Sequence, residues 1–259
     1  MGRAHEVRAK KMAQTNAAKS ALYNRASKEI YMAAKSGIPD PDSNLALRSA
    51  IEKFRGEGVT RDVIERAIAK AKGGDATTYV AGRYEGYAPA GVAIIVDTLS
   101  DNDKRAYASV RAIFTHRGGN LGASGCVDYL FSQTGLFVFA GDASKAEEIE
   151  MGLLDEGIEG LKGVTHEDED NTIEVQVEPK DFAKAKDALK KLGITEFDVT
   201  EITMLPIPDY VKHDITDDDK QKLANFVHAL DELEDVQNIY TNADFDPLSI
   251  PAEEKFPKK

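Results

Sequence analysis

The chain has no tryptophan, a single cysteine among 259 residues and only five histidines. With Cys126 alone, no intramolecular disulfide can form and no cysteine-based zinc site can be closed, which suits a reducing, cytoplasmic setting. His5, His116, His166, His213 and His228 are scattered, and none stands beside a second ligand at helical spacing, so neither a metal centre nor a cofactor site is expected. No apolar run is long enough to span a bilayer. The stretch from Met1 to Ser20 mixes charge with alanine, and no signal peptide is expected there. No Ser/His/Asp arrangement stands out, and the expectation is a protein without catalytic residues.

What is abundant is charge, and it is segregated. The net formal charge is −12, which taken alone argues against a polyanionic partner. From Met1 to Gly74, however, fifteen Lys or Arg stand against eight Asp or Glu, a local +7. From Asp75 to Gly135 the balance is −1, and from Leu136 to Lys259 it is −18. A basic head on an acidic body marks a chain that meets polyanions at one end.

The basic head has helical periodicity. Leu22, Ala26, Ile30 and Ala33/Ala34 recur on one face, and Gly37, Pro39 and Pro41 end that run. Ser43 or Asn44 can cap a second helix carrying Leu47, Ala50/Ile51 and Phe54. Thr60 opens a third with Ile64, Ala67/Ile68 and Ala71. The expectation is a three-helix bundle over residues 1–74. Beyond it, 77–87 and 92–99 read as a hairpin around Pro89-Ala90-Gly91. A helix over 103–116 follows, capped by Asp101 or Asn102. A glycine-rich loop then leads to a strand at 127–131.

From 136 the order is strand (136–139), helix (145–155), strands (163–166 and 172–177), helix (181–192) and strand (197–204), the ferredoxin-like βαββαβ arrangement. A last helix over 217–233 and a strand over 236–240 have no partners in that completed module, but would complete the earlier one. The predicted architecture is α+β: the bundle, then two ferredoxin-like α/β modules, one inserted in the other. The predicted boundaries are 1–74, a discontinuous middle domain of 75–135 plus 206–241, an inserted domain of 136–205, and a flexible tail of 242–259.

The cations Arg3, Arg8, Lys10, Lys11, Lys19, Arg25, Lys28 and Lys35 stand against only Glu6 and Glu29, and are the candidate nucleic-acid contacts. Phosphate recognition needs positive charge spread along a face, and the spacing of Arg25, Lys28 and Lys35 allows these three to share one. Gly119-x-x-Gly122-x-x-Gly125 has the look of a phosphate loop, but it follows a helix and precedes a strand, the reverse of a dinucleotide fingerprint. It also lacks the Gly-Lys-Ser/Thr ending of a Walker loop. A helix C-cap and tight turn is the expected role. Asp101 and Asp103, like Asp217, Asp218 and Asp219, fall where helix starts favour carboxylates. Asn242, Asp244, Asp246 and Glu253 have calcium-loop spacing, but Pro247 stands where that loop needs glycine.

Taken together, Tyr84-Glu85-Gly86-Tyr87-x-Pro89-x-Gly91, Leu99-Ser100-Asp101-Asn102, Val110-Arg111, Gly118-Gly119-Asn120-Leu121-Gly122 and Tyr129-Leu130-Phe131, in that order, resemble the YebC/PmpR family. Asp40-Pro41-Asp42-x-Asn44, Thr60-Arg61-Asp62 and Asp235-Val236-Gln237 extend the resemblance, which runs from Ile30 to about Asn242. The start, Gly2-Arg3-Ala4-His5, departs from the family's Gly-His-Ser-Lys-Trp-like opening and is nearer the YeeN-like branch. The resemblance implies a cytoplasmic, non-enzymatic protein without cofactor, a DNA-binding regulator of transcription in the first place. The alternative it implies is an RNA- or ribosome-associated translation factor. A ligand-binding or enzymatic ferredoxin-like protein is the weakest alternative. Few amide side chains of the kind that read bases (Gln14, Asn16, Asn24) accompany the cations, so shape and charge are expected to dominate recognition.

Overall fold

The structure is a computed structural model that describes residues 16–74, 77–168 and 170–253. The described residues divide into two compact units: Ser132–Leu205, and the segments 16–131 and 206–253 together.

The larger unit begins with α1 (Asn16–Lys35), α2 (Leu45–Gly56) and α3 (Arg61–Lys72). Of the two candidate caps for α2, Asn44 is used: its Oδ1 accepts from Leu47 N at 3.0 Å. Its Nδ2 donates to Ala33 O and Ile38 O, so one side chain both starts α2 and holds the turn out of α1. The end of α2 is a Schellman motif. Gly58 takes φ +89°, its N–H reaches Arg55 O, and Val59 N–H reaches Phe54 O. That places Val59 beside Phe54 in the bundle core, the contact such a motif favours. Leu22, Ala26, Ile30, Leu47, Ile51, Ile64 and Ala67 complete that core.

The same unit contains a four-stranded sheet of order β3-β1-β2-β8. β1 (Val80–Tyr87) and β2 (Ala93–Ser100) form the expected antiparallel hairpin, with Tyr87 opposite Ala93. β8 (Val236–Thr241) adds to the outer side of β2. α4 (Asp103–His116) and α7 (Asp217–Asp231) pack on one face, burying Ile94, Val96, Val110, Phe114, Leu223, Phe226 and Leu230. Phe114 and Phe226 meet edge to face at 5.1 Å. Asn102, not Asp101, caps α4 by accepting from Arg105 N.

The remaining strand of this sheet corrects the sequence reading. Residues 127–131 do not pair here. Asp128–Leu130 is a 3-10 turn, and the two-residue β3 (Asn120–Leu121) pairs with Gly86 and Tyr87 of β1. Val127 and Phe131 are buried, and a short buried apolar run has no periodicity that tells strand from turn.

Phe131 instead opens the long β4 (Phe131–Ala140), which leads into the smaller unit with α5 (Ala143–Asp155), β5 (Leu161–Glu167), β6 (Thr172–Val177), α6 (Phe182–Lys191) and β7 (Val199–Pro206). The strand order β5-β6-β4-β7 puts the first and third strands of a βαββαβ module at the centre, the ferredoxin-like order. Alternation along β4 sends Phe137 and Phe139 into a core with Ile149, Leu153, Ile173, Val175 and Leu189, while Leu136 and Val138 join Val199 in a separate cluster.

The expectation of a flexible tail is also corrected, for residues 242–253. Asn242 is buried, its Oδ1 accepts from Ala93 N and its Nδ2 donates to Tyr210 O. Phe245 and Leu248 pack on the sheet core. Asn242, the first residue of the calcium-loop spacing, and the apolar Phe245 and Leu248 therefore hold the segment down. Residues 254–259 lie outside the described residues.

A compact unit with its own apolar core is expected to fold alone. A fragment of Ser132–Leu205 should unfold in urea in one cooperative step, with coincident far-ultraviolet circular dichroism and methyl proton NMR signals; a sloping, non-cooperative loss of structure would refute its independence.

Candidate nucleic-acid interface

Of the eight candidate cations, Arg3, Arg8, Lys10 and Lys11 lie outside the described residues. The other four lie on α1 and separate into two groups. Lys19, in the first turns, and Lys35, at the C-terminal end, are exposed. Lys35 sits 5.0 Å from the centre of the Tyr31 ring, and Lys70 of α3 approaches the same ring at 5.4 Å. Cations from two helices thus gather round one aromatic ring at the end of the bundle. A cation at a helix C-terminus is also favoured by the helix dipole.

Arg25 and Lys28 correct the expectation of an open basic face. Lys28 is 7 % exposed. Its ammonium donates to Leu99 O at 3.2 Å, Glu234 O at 2.9 Å and Asp235 Oδ1 at 3.1 Å. A lysine has three donors, and all three are used inside the fold. Arg25 donates to Val236 O, and to both the backbone and the carboxylate of Asp231. The seven-residue spacing does place Lys28 and Lys35 on one side of α1, each near a tyrosine ring. At Lys28 and Arg25, however, that side is covered by the segment joining α7 to β8, so neither can meet a phosphate.

Asp235 is the hub of this arrangement. It accepts from Lys28 and, through both oxygens, from Arg105 of α4. Its backbone oxygen takes Leu99 N at 2.8 Å. Burial pushes its carboxyl up, but hydrogen bonds from Arg105 and Lys28 outweigh that and hold it below the usual carboxylate range.

The glycine-rich loop has a different role from a phosphate cradle. Gly118, at φ +78°, ends α4, with Gly119 N–H bonded back to Phe114 O, as a C-cap requires. The loop then wraps the carboxylate of Glu85. This side chain is buried on β1 and accepts from the backbone N–H groups of Gly125 at 2.7 Å, Val127 at 3.1 Å and Asp128 at 3.0 Å. Successive N–H groups of this kind make an anion nest, and here the anion is the protein's own.

Beside the loop lies a cleft of about 310 Å³ walled by Arg83, Tyr84 and Glu85 of β1, Tyr107 and Arg111 of α4, and Gly122 and Ser124. Tyr107 is 43 % exposed, and the Arg111 guanidinium lies 6.0 Å from its ring centre. Tyr84 stands 6.0 Å from Tyr107, its hydroxyl pushed up chiefly by burial. The sequence reading missed this group. Its only linear sign is Tyr107-x-x-x-Arg111, one turn apart on a predicted helix. Among the described residues no three His, Cys, Asp or Glu converge as metal ligands, and no helix is long and apolar enough to cross a membrane.

Comparison with known proteins places this architecture. The profile described as the TACO1/YebC protein N-terminal domain matches residues 3–74, and that of the TACO1/YebC second and third domain matches 79–243. The chain belongs to the TACO1/YebC family. A relative in Mesoplasma florum named "probable transcriptional regulatory protein" is 46 % identical over 246 residues, covering 94 % of this chain and 99 % of the relative. One of the same name in Pseudoalteromonas translucida is 39 % identical over 245 residues, 95 % of this chain and all of the relative. A crystal structure of a conserved hypothetical protein from Aquifex aeolicus superposes with a TM-score of 0.73 at 32 % identity, covering 94 % of this chain and 96 % of that one. The family's N-terminal domain corresponds to the basic head, and the matched region from 79 onward carries both sheets.

Removing one member of a buried ion pair leaves the other uncompensated, at a cost of about 3–5 kcal/mol. Asp235→Asn should therefore lower unfolding free energy in urea by about that much. Because the folded carboxyl titrates below its unfolded value, its contribution is present above the ordinary carboxylate range and is lost as pH falls through the lowered folded value. The variant should lack that part of the acid dependence; equal acid sensitivity in both proteins would count against the hub.

Proposed function

We propose that this protein is a nucleic-acid-binding regulator of gene expression that acts in the cytoplasm, in the first place as a DNA-binding regulator of transcription and without catalysis. The observation that carries this reading is the segregated charge: a +7 head on a chain of net −12, with Lys19, Lys35 and Lys70 exposed on the bundle. The names of the relatives support the regulatory role. Binding is to phosphates, with Lys10, Lys11, Lys19 and Lys35 as the principal groups, Arg3 and Arg8 beside them, and Arg25 and Lys28 excluded by their internal bonds.

One observation favours RNA as a second reading. A DNA-reading helix presents free arginine or amide groups to base edges. On α3, Arg61 is engaged with Glu65 and Arg66 with Asp62. Phosphate binding and shape then do most of the recognition, and a structured RNA serves as well as a duplex.

Binding of duplex DNA and of structured RNA should be titrated across a range of salt. Replacing Lys10, Lys11, Lys19 and Lys35 with glutamine should flatten the log–log salt slope by about one unit for each phosphate that is no longer neutralised. The best duplex selected from a random pool should exceed a scrambled one by well under the roughly thousandfold of dedicated site-specific repressors. An unchanged slope in the quadruple variant would remove the basic head from the interface, and a selected duplex winning by several thousandfold would establish a base-reading factor.

A further inference from the structure

We infer that the cleft between β1, α4 and the glycine-rich loop is a second nucleic-acid site, which takes one unpaired nucleotide of a single-stranded RNA, its base on Tyr107 and its phosphate on Arg111. The inference rests on the nucleic-acid reading above and adds to it a place and a substrate class.

Three features carry it. The first is an accessible ring. Tyr107 is 43 % exposed and, unlike the more exposed Tyr129 and Tyr210, forms a wall of the cleft. The Tyr84 ring lies tilted beside it at 6.0 Å, and the Arg111 guanidinium lies 6.0 Å from its centre. Unpaired bases are recognised by stacking of this kind on aromatic rings and guanidinium planes.

The second is the charge that remains available. Arg83 is held by Asp97 through two bonds of 2.7 and 2.9 Å, with Asp128 at 3.5 Å. Arg105 is held by Asp235 and Asp101. The Arg111 guanidinium has no carboxylate partner among the described residues. The cleft therefore offers one uncommitted cation beside one accessible ring. That matches the single negative charge and single base of one phosphodiester-linked nucleotide, and falls short of what a free triphosphate would need.

The third is access. β3 pairs with Gly86 and Tyr87 and Gly122 N–H takes Glu85 O, but residues 80–84 of β1 have no strand partner on that side among the described residues, and Ser124 at the rim of the cleft is exposed. Glu85 does not repel an RNA strand strongly, because three backbone N–H groups already bind that carboxylate. A volume of about 310 Å³ is at the lower end of small-ligand sites.

The test uses the full-length chain, a fluorescein-labelled oligoadenylate and a blunt RNA duplex of equal length. Stacking contributes about 1–3 kcal/mol per base, so Tyr107→Leu is expected to weaken oligoadenylate binding about tenfold, and Arg111→Gln by a similar factor. Tyr107→Phe, which keeps the ring, should bind like the parent, and duplex affinity should be unchanged in all three variants. Oligoadenylate binding unaltered by Tyr107→Leu and Arg111→Gln would overturn the site while leaving the basic head as the interface. An equal loss for both probes, or displacement of the oligoadenylate by an equal concentration of ATP, would also overturn it. Failure of the parent protein to bind either probe would overturn this site and the nucleic-acid reading together.

Discussion

The ion pair between Lys28 and Asp235 is the constraint on which the larger unit depends. It joins three parts of the chain that are far apart in sequence: α1 of the bundle, the start of α4 through Arg105, and the segment that leads into β8. Taking an ammonium and a carboxylate out of water is costly, and pairing them returns little net stability compared with apolar packing. What such a pair supplies is a unique arrangement. Lys28 must reach Leu99 O, Glu234 O and Asp235 at once, and only one placement of α1 against the end of the sheet satisfies all three. Arg25 repeats the constraint one turn earlier at Asp231 and Val236.

This arrangement divides the basic head by function. Cations that the sheet and its joining segment cover hold the bundle to it, and those left uncovered, Lys19 and Lys35 among them, are exposed to solvent. Similar lysines only a few turns apart on one helix thus have opposite roles, and a tally of charges along the linear sequence treats them alike. The acidic body is correspondingly more than a solubilising surface, since Asp231 and Asp235 neutralise part of the head from within.

Glu85 plays the equivalent part at the other end of the sheet. An acidic residue on a strand would ordinarily face water, but here the glycine-rich loop folds over it and turns its backbone donors onto its carboxylate. The loop is thereby fixed against β1. Gly122 donates to Glu85 O, and β3 closes on Gly86, where any side chain would collide with Asn120 O and Phe114. The cleft walled by Tyr107 and Arg111 owes its shape to that fixed loop.

Features that depend on neighbours within a few residues were legible in the amino-acid order. The three helices with their caps and glycine stops, the hairpin around Pro89, the βαββαβ order and the segregated charge could all be read from spacing, because helix and strand periods and turn chemistry are local. The same patterns misread 127–131 as a strand of the first sheet and 242–253 as loose, since buried apolar residues in a turn look like a strand and an irregular segment can be held by side chains it meets only in the fold. Which cations are open was settled only by the folded chain. Lys28 and Lys35 look equivalent on a helix, and what separates them is Asp235, a residue 207 positions from Lys28 along the chain. Folding likewise settled that the glycine loop encloses Glu85 and that Tyr107 and Arg111 wall a cleft. Partners at such separations leave no periodic trace, because the geometry that unites them belongs to the packing of whole elements and not to the spacing of residues.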